Sequence, residues 1–233
     1  MLPTRARWCE PGMKILALET CGEFCSVALY VDGTIEERHV ECPARHTGIL
    51  LPLCEALRAQ HGLSLSQLDG IAFGAGPGAF TGVRVAASAA QGMALAHGLP
   101  LVAVSSLAAL AHEGWRVTGL PLQLPLLDAR RKELYWGFYR VDGPGLCAAL
   151  TSDRVSTADA IAPAGRPFAA IGHGGAQLPA GERARLAPVF TDFGRIRFPR
   201  ARDVAALAST EFAAGRTLTP ELALPIYLRD PLG

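Results

Sequence analysis

Strand-like and helix-like patterns alternate along the first half of the chain. Residues 14–20 form a nearly continuous apolar run, which is typical of a buried strand. Residues 24–33 form a second strand that ends in Asp32-Gly33, a hairpin signal, and the segment TIEERHVEC alternates as a third strand. Apolar positions then recur with helical spacing over residues 46–61. With the strand–helix units that follow, the pattern predicts the order β-β-β-α-β-α-β-α.

The second half of the chain begins with paired strands again. Residues 124–143 predict two strands joined by a polar turn, and the later segment ARDVAALASTEFAAG has an apolar stripe at helical spacing. Because each half starts with paired strands before its helices, we predict an α/β fold with two lobes, each a mixed sheet with flanking helices. We place the N-terminal lobe at residues 13–112 and the C-terminal lobe at residues 113–233.

Composition restricts the class of protein. The chain has 233 residues, 50% hydrophobic and 18% charged, which is typical of a globular protein. Its net charge of +1 argues against a protein that binds nucleic acid alone, although such a chain can act on RNA within an assembly. Six cysteines without a C-x-x-C pair, and no secretory signal, indicate reduced thiols in the cytoplasm. Residues 1–12 lack periodicity and are expected to be a disordered extension, which leaves Met1 or Met13 as the start.

The segment FGAGPGAFTGVR has the glycine content of a phosphate-binding loop. A Walker loop is excluded because the required glycine spacing and the lysine are absent. A dinucleotide motif survives only nominally, without the acidic residue expected about twenty positions later. We therefore interpret Gly76, Pro77 and Gly78 as a tight strand-to-helix turn, with Thr81 as the N-cap of the helix and Arg84 close behind.

Small residues recur at every fourth position in the helix after this turn. Gly82, Ala86, Ala90 and Ala94 share one helix face, so another element can approach that face unusually closely. Two interpretations remain: packing inside the same domain, which the spacing alone favours, and a docking face for a partner.

Several motifs together resemble one bacterial family. The segments KILALETCGEFCSVAL, CPARHTGILLP, GAGPGAFTGVRVAASAAQGMALA, LLDARRKELYWGFY and PIYLRD occur in the order expected for the TsaB family, also called YeaZ. The resemblance runs from Met13 to the C-terminus. It implies a two-lobed fold of the actin/sugar-kinase type and a part in forming N6-threonylcarbamoyladenosine (t6A) at position 37 of tRNAs that read codons starting with A.

The resemblance also implies partners. Members of this family are regarded as non-catalytic relatives of the transferase TsaD, with which they form a heterodimer that the ATPase TsaE joins. We expect a homodimer when TsaD is absent, contact with tRNA only through the complex, and no membrane association. With the family in view, the partner-facing interpretation becomes the preferred one, and we place the interface on two helices at Leu50, Leu53, Leu57, Gly82, Ala86 and Ala90.

Catalytic and metal-binding residues are not expected. The resemblance implies that the transferase relatives bind their metal through a His-x-x-x-His pair, whereas here His46 is followed by Leu50 four residues on. The other histidines show no metal-like spacing. Peptidase activity is disfavoured because neither His-Glu-x-x-His nor Gly-x-Ser-x-Gly occurs.

Nucleotide binding stays open. By resemblance, Glu19, Thr20 and Gly22 occupy the strand end and turn that approach the phosphates in this fold. We expect no bound cofactor, with weak nucleotide binding as the alternative, and a small ATPase or sugar-kinase-like phosphotransferase is the alternative function. Two basic groups, at residues 130–132 and 195–202, are expected to be solvated loops rather than RNA contacts.

Overall fold

Two mixed β-sheets organise the chain, one in each half. The computed structural model describes residues 12–42, 45–163, 165–186, 190–192 and 194–229. The expected extension at residues 1–12 therefore lies outside the described residues, apart from Gly12. Within the described part, no helix has the length and apolar character needed to cross a membrane.

The N-terminal sheet has the strand order β3-β2-β1-β4-β5. Its strands are β1 (Lys14–Glu19), β2 (Phe24–Val31), β3 (Thr34–Glu41), β4 (Gly70–Gly74) and β5 (Leu101–Val104). The first three strands form an antiparallel meander, and β1, β4 and β5 are parallel. Asp32 and Gly33 both have positive φ, at 50° and 87°, so the predicted hairpin turn is confirmed.

The C-terminal sheet repeats this arrangement with interrupted strands. Its strands are β6 (Leu122–Asp128), β7 (Leu134–Trp136), β8 (Tyr139–Gly143), β9 (Leu146–Ala149), β10 (Arg154–Ser156), β11 (Ala169–Ile171) and β12 (Phe190–Asp192). β7 and β8 both pair antiparallel with β6, at its end and its start, while β11 and β12 continue parallel to it. Each lobe thus has a central strand with antiparallel neighbours on one side and parallel neighbours on the other. The predicted α/β fold, with two mixed sheets and flanking helices, is confirmed.

In the described part of the chain, five α-helices lie around the sheets. They are α1 (His46–Gln60), α2 (Phe80–His97), α3 (Ser106–Thr118), α4 (Ala180–Leu186) and α5 (Ala201–Ala213). The predicted order of elements in the first half is confirmed. Ser105 caps α3, since its hydroxyl accepts hydrogen bonds from the backbone N–H groups of Leu107 and Ala108.

The two faces of the N-terminal sheet bury different helices. Because side chains alternate along β1, Leu16 and Leu18 pack in one core with α1 and α2, whereas Ile15 and Ala17 pack in another with α5. Helix α5 comes from the C-terminal half of the sequence, and α3 continues through the predicted boundary between residues 112 and 113. Contacts therefore cross that boundary extensively, and the division into lobes by sequence stays a prediction.

The C-terminal segment returns to the N-terminal lobe. Leu218 exchanges two backbone hydrogen bonds with Leu101 on β5, at 2.9 and 2.7 Å, which protects that sheet edge. Further along, the N–H of Ile226 donates to the carbonyl of Ala75 at 2.7 Å, and Ala223 is fully buried. This segment consequently lies beside the glycine-rich turn and α2.

Candidate functional site

Glu19, at the end of β1, is hydrogen-bonded to other residues inside the fold. Glu19 is 2% exposed: one carboxylate oxygen accepts the N–H of Cys21 at 2.7 Å, and the other accepts the hydroxyl of Ser106 at 2.8 Å. Burial is the main effect on this carboxyl and raises its pKa above the ordinary value. Gly74 packs directly under the carboxylate, where an added Cβ would overlap it. The group is therefore held as part of the core.

The turn after Glu19 is closed by its neighbours. The Thr20 hydroxyl donates to the carbonyl of Gly82 at 2.6 Å, and the space beside Gly22 is filled by the ring of Phe198. Thr20 is fully buried. These contacts fill the space next to the backbone at Thr20 and Gly22.

The glycine-rich turn packs against the rest of the protein. Gly76 has φ of 95°, and its carbonyl accepts the N–H of Ser106 at 2.8 Å. The bond between Gly76 and Pro77 is cis, and Gly78 packs so closely against Cys21 that a Cβ would overlap that side chain. These contacts support the interpretation of the glycines as a tight strand-to-helix turn rather than a phosphate-binding loop.

The predicted N-cap at Thr81 is wrong. α2 begins at Phe80 with Ala79 as its N-cap, and Ala79 makes no side-chain capping bond. The helix starts earlier than predicted because the Ala79 carbonyl already accepts the N–H of Val83 at 3.0 Å, which places Thr81 inside the first turn.

The predicted interface row faces the interior. Gly82, Ala86 and Ala90 are buried against the sheet, and on α1 Leu50 and Leu57 are buried in the same core. A Cβ on Gly82 would overlap the carbonyl oxygen of Thr20. Small residues are thus needed so that α2 can lie close to its own sheet, and these five residues do not form a docking surface. Leu53, the sixth predicted residue, is half-buried in that same core.

The outer faces of α1 and α2 are also poor in large polar side chains. Exposed positions there include Gly48, Leu51, Ala56, Ser88, Gly92, Leu95 and Ala96. Leu51 and Leu95 are 52% and 69% exposed, which is high for leucine. A Cβ added to Gly48 or Gly92 would meet no described atom within 4 Å, so internal packing gives no reason for glycine at either position.

A cationic and aromatic cluster lies at the start of α2. The Arg84 side chain stacks over the Phe80 ring at 3.4 Å from its centroid, and its Nε donates to the Tyr227 hydroxyl at 2.8 Å. Phe80 is 55% and Tyr227 47% exposed. This cluster ties the C-terminal segment to α2 and forms one rim of a cavity between the lobes.

The cavity between the lobes has a volume of about 1000 Å³ and a partly basic lining. It is lined by the turn after β1, the start of α1 and α2, the β6–β7 turn and the C-terminal segment. Its basic lining residues are Arg130, Arg131, Arg197 and Arg229. Three of them are paired, Arg130 with Asp128, Arg197 with Glu23 and Arg229 with Glu133. The cavity suits an anionic group but offers it no closed phosphate loop.

The β6–β7 turn has an unusual backbone. Arg130, Arg131 and Lys132 have φ of 64°, 54° and 63°, three successive non-glycine residues in the left-handed region. Asp128 accepts the N–H of Arg130 at 2.8 Å and supports the turn. The sequence predicted the turn itself but not this conformation.

A buried ionic network links α3, α5 and the N-terminal sheet. His112 donates through Nδ1 to Asp203 at 2.7 Å, and Arg116 approaches the same carboxylate at 3.3 Å. Glu113 lies 3.7 Å from Arg116 and 4.0 Å from Arg200. Burial, then the neighbouring Asp203, raises the pKa of Glu113 to about 8. The sequence analysis missed this network because its members come from distant segments.

Three potential metal ligands come together in the N-terminal core. The Sγ atoms of Cys25 and Cys42 and a ring nitrogen of His46 all lie within 4.8 Å of one another, and all three residues are buried. The sequence analysis found no metal-like spacing because it compared positions along the chain. The antiparallel pairing of β2 and β3 is what brings Cys42 next to Cys25.

Comparison with known proteins identifies the class. A family model for TsaD, the tRNA N6-adenosine threonylcarbamoyltransferase, matches residues 40–191 of the chain. The solved structure of YeaZ from Pseudomonas aeruginosa superposes with a TM-score of 0.83 at 36% identity, covering 93% of this chain and 100% of that one. The chain is therefore an α/β protein with a TsaD-like domain.

Comparison with curated relatives identifies the family within this class. The tRNA threonylcarbamoyladenosine biosynthesis protein TsaB of Escherichia coli K12 is 36% identical over 94% of this chain and 95% of its own length. The TsaB protein of Haemophilus influenzae is 41% identical over 54% of this chain and 53% of its own length. The chain belongs to the TsaB (YeaZ) family of tRNA threonylcarbamoyladenosine biosynthesis proteins, as the motifs predicted.

Proposed function

We propose that the chain is a non-catalytic subunit of the cytoplasmic assembly that forms t6A at position 37 of tRNAs reading ANN codons. In this proposal it holds the transferase TsaD, and TsaE joins the pair. Family membership supports the pathway. The five cysteines among the described residues are free thiols, which suits a reducing compartment.

The observation that carries the non-catalytic role is the internal use of Glu19. A carboxylate that binds Mg²⁺ or takes a proton from substrate must face the site with a free oxygen. Both oxygens of Glu19 accept hydrogen bonds from within the fold, and burial favours the neutral acid. A small ATPase or sugar-kinase-like phosphotransferase that uses Glu19 is therefore the less supported function.

The docking surface for TsaD is proposed on the outer faces of α1 and α2. Glycine inside a helix costs about 1 kcal/mol relative to alanine. Gly48 and Gly92 bear this cost although the described residues leave room for a Cβ at both. Leu51 and Leu95 nearby expose apolar surface that a partner helix would cover. The same face would serve a homodimer, so that self-association and TsaD binding exclude each other.

Weak nucleotide binding in the cavity remains a secondary proposal. The exposed guanidinium groups of Arg130 and Arg131 would attract phosphate, but their contact with tRNA is proposed only within the complex. No cofactor is required for this role.

Reconstitution tests the function directly. The assay combines purified TsaD, TsaE and TsaC, the enzyme that makes the threonylcarbamoyl-adenylate, with unmodified tRNA, threonine, bicarbonate and ATP. This mixture should form t6A when the chain is added and should not form it without the chain. The Glu19→Gln variant should support t6A formation as well as the unsubstituted chain. Phosphate release by the chain alone with Mg²⁺ and ATP, abolished by Glu19→Gln, would instead establish the phosphotransferase.

A further inference from the structure

We infer that Cys25, Cys42 and His46 form a binding site for one zinc ion in the core of the N-terminal lobe. The geometry comes from three separate elements. Cys25 lies on β2, Cys42 follows β3, and His46 is the first residue of α1. Their ligand atoms lie within 4.8 Å of one another, and the Cys42 sulfur is 3.2 Å from Nδ1 of His46.

These distances suit a tetrahedral ion. Zinc binds sulfur and nitrogen at about 2.0–2.3 Å, so neighbouring ligands in a tetrahedron stand roughly 3.5–3.8 Å apart. Small side-chain adjustments bring the three atoms to that spacing. Two thiolates and a neutral imidazole balance the charge of Zn²⁺, which matters because the three residues are only 0%, 1% and 7% exposed.

The backbone holds the ligands in place. The N–H of Cys42 donates to the Glu23 carbonyl at 2.9 Å, and the N–H of Arg45 donates to the Cys42 carbonyl at 3.0 Å. His46 is the first residue of the fifteen-residue helix α1, so its backbone position is fixed by that helix.

Of the three ligands, His46 lines the cavity between the lobes, and the neighbouring Thr47 lines it too. The ion would reach the cluster from this side, and a water molecule would complete its coordination. Cys54 does not supply the fourth ligand, because it lies eight residues from His46 on α1, about 12 Å along the helix axis. The site thus has two sulfur ligands and one nitrogen ligand from the protein.

A zinc ion explains this cluster better than a reactive thiol does. Cys25 and Cys42 are 0% and 1% exposed, so neither thiol is open to an external substrate. Binding converts two thiols to thiolates and releases two protons to solvent, and the oxidation states do not change. The ion would join β2, the end of β3 and the start of α1, and so stabilise the folded chain by mass action.

Metal uptake by the full chain tests the site. Protein purified under reducing conditions, stripped with a chelator and given Zn²⁺ should retain one zinc per chain by mass spectrometry of the metal. Cys25→Ser, Cys42→Ser and His46→Ala should each abolish retention. Cys54→Ser is the matched control, because it removes a buried thiol from the same core without removing a ligand, and it should retain zinc.

Two further measurements keep the proposal testable if a ligand variant misfolds. Co²⁺ added to the stripped wild-type chain should give a thiolate-to-cobalt charge-transfer band, and Zn²⁺ should abolish it. Zn²⁺ should raise the melting temperature of the wild-type chain and of Cys54→Ser. Zinc retention by Cys42→Ser equal to that of the wild-type chain overturns the proposal. So does a reduced wild-type chain that takes up no zinc but forms a Cys25–Cys42 disulfide on oxidation.

Discussion

Gly82 lies so close to Thr20 that its Cα faces the Thr20 carbonyl oxygen, while the Thr20 hydroxyl donates to the Gly82 carbonyl at 2.6 Å. The end of β1 and the start of α2 are therefore in direct backbone contact. Gly92, ten residues later on the same helix, has open space where a Cβ would stand. Two glycines of one helix therefore have opposite structural roles.

The first prediction uses this contrast. Gly82→Ala should destabilise the protein by about 1–3 kcal/mol, because the added methyl overpacks the contact with Thr20. Gly92→Ala should stabilise it by about 1 kcal/mol, since alanine has the higher helix propensity. Chemical denaturation of both variants checks this. Equal effects of the same sign would contradict the contact at Gly82.

The second prediction concerns the hydrogen bond between Ser106 and Glu19. Ser106→Ala leaves one oxygen of a fully buried carboxyl group without a donor and should cost about 1–3 kcal/mol. Glu19→Ala removes the carboxyl group and with it this same hydrogen bond. The double variant should therefore lose less stability than the sum of the singles, and additive losses would show that the two groups do not interact.

The third prediction follows from Glu113, whose pKa is raised from 4.5 to about 8 in the folded protein. Between these pH values the folded state binds more protons than the unfolded state, so stability falls as pH rises through this range. Glu113→Gln removes this contribution. The gain in stability of Glu113→Gln over the unsubstituted chain should be small near pH 4.5 and grow up to about pH 8. Denaturation curves measured across this pH range give the difference in free energy of unfolding between Glu113→Gln and the unsubstituted chain. A difference that does not change with pH would contradict the prediction.

The fourth prediction separates the two faces of α2. Gly92→Trp places a large side chain on the outer face without an internal clash, so the melting temperature should stay unchanged while co-elution with TsaD is lost. Ala86→Trp should instead lower the melting temperature, because Ala86 is fully buried. Ala149→Trp, at an exposed position on β9 in the other lobe, is the control and should bind TsaD normally. Normal TsaD binding by Gly92→Trp would exclude this docking face.

The fold was predictable where the signals are local. The apolar run of β1, the alternation in β3 and the hairpin glycine each depend on a few neighbouring residues, and the order of elements in the first half followed from them. The position of α5 on the N-terminal sheet was not predictable, because its apolar stripe fits either sheet.

The candidate site was less predictable. Spacing by four showed that Gly82, Ala86 and Ala90 share a face, but it could not show whether that face meets a sheet or a partner. The spacing alone favoured the interior, and the family resemblance reversed that preference wrongly for these residues. Cys25 and His46 are twenty-one positions apart, and their proximity depends on strand pairing that no local motif encodes.

The β6–β7 turn provides the last prediction. Arg130, Arg131 and Lys132 all have left-handed backbone conformations, each of which costs a non-glycine residue about 1–2 kcal/mol. Strain of this kind persists where function requires it. Arg131 is exposed and lines the cavity, so its guanidinium is available to phosphate.

Arg131→Gly should relieve this strain and stabilise the protein by about 0.5–1 kcal/mol, because part of the gain is offset by the larger entropy of glycine in the unfolded chain. Arg131→Ala is the matched variant, since it removes the same charge but keeps the strained conformation, and its stability should change little. Both variants should lower t6A formation in the reconstituted system, because both lack the Arg131 guanidinium. Normal t6A formation by the stabilised Arg131→Gly variant would show that neither the charge nor the strained turn serves the modification.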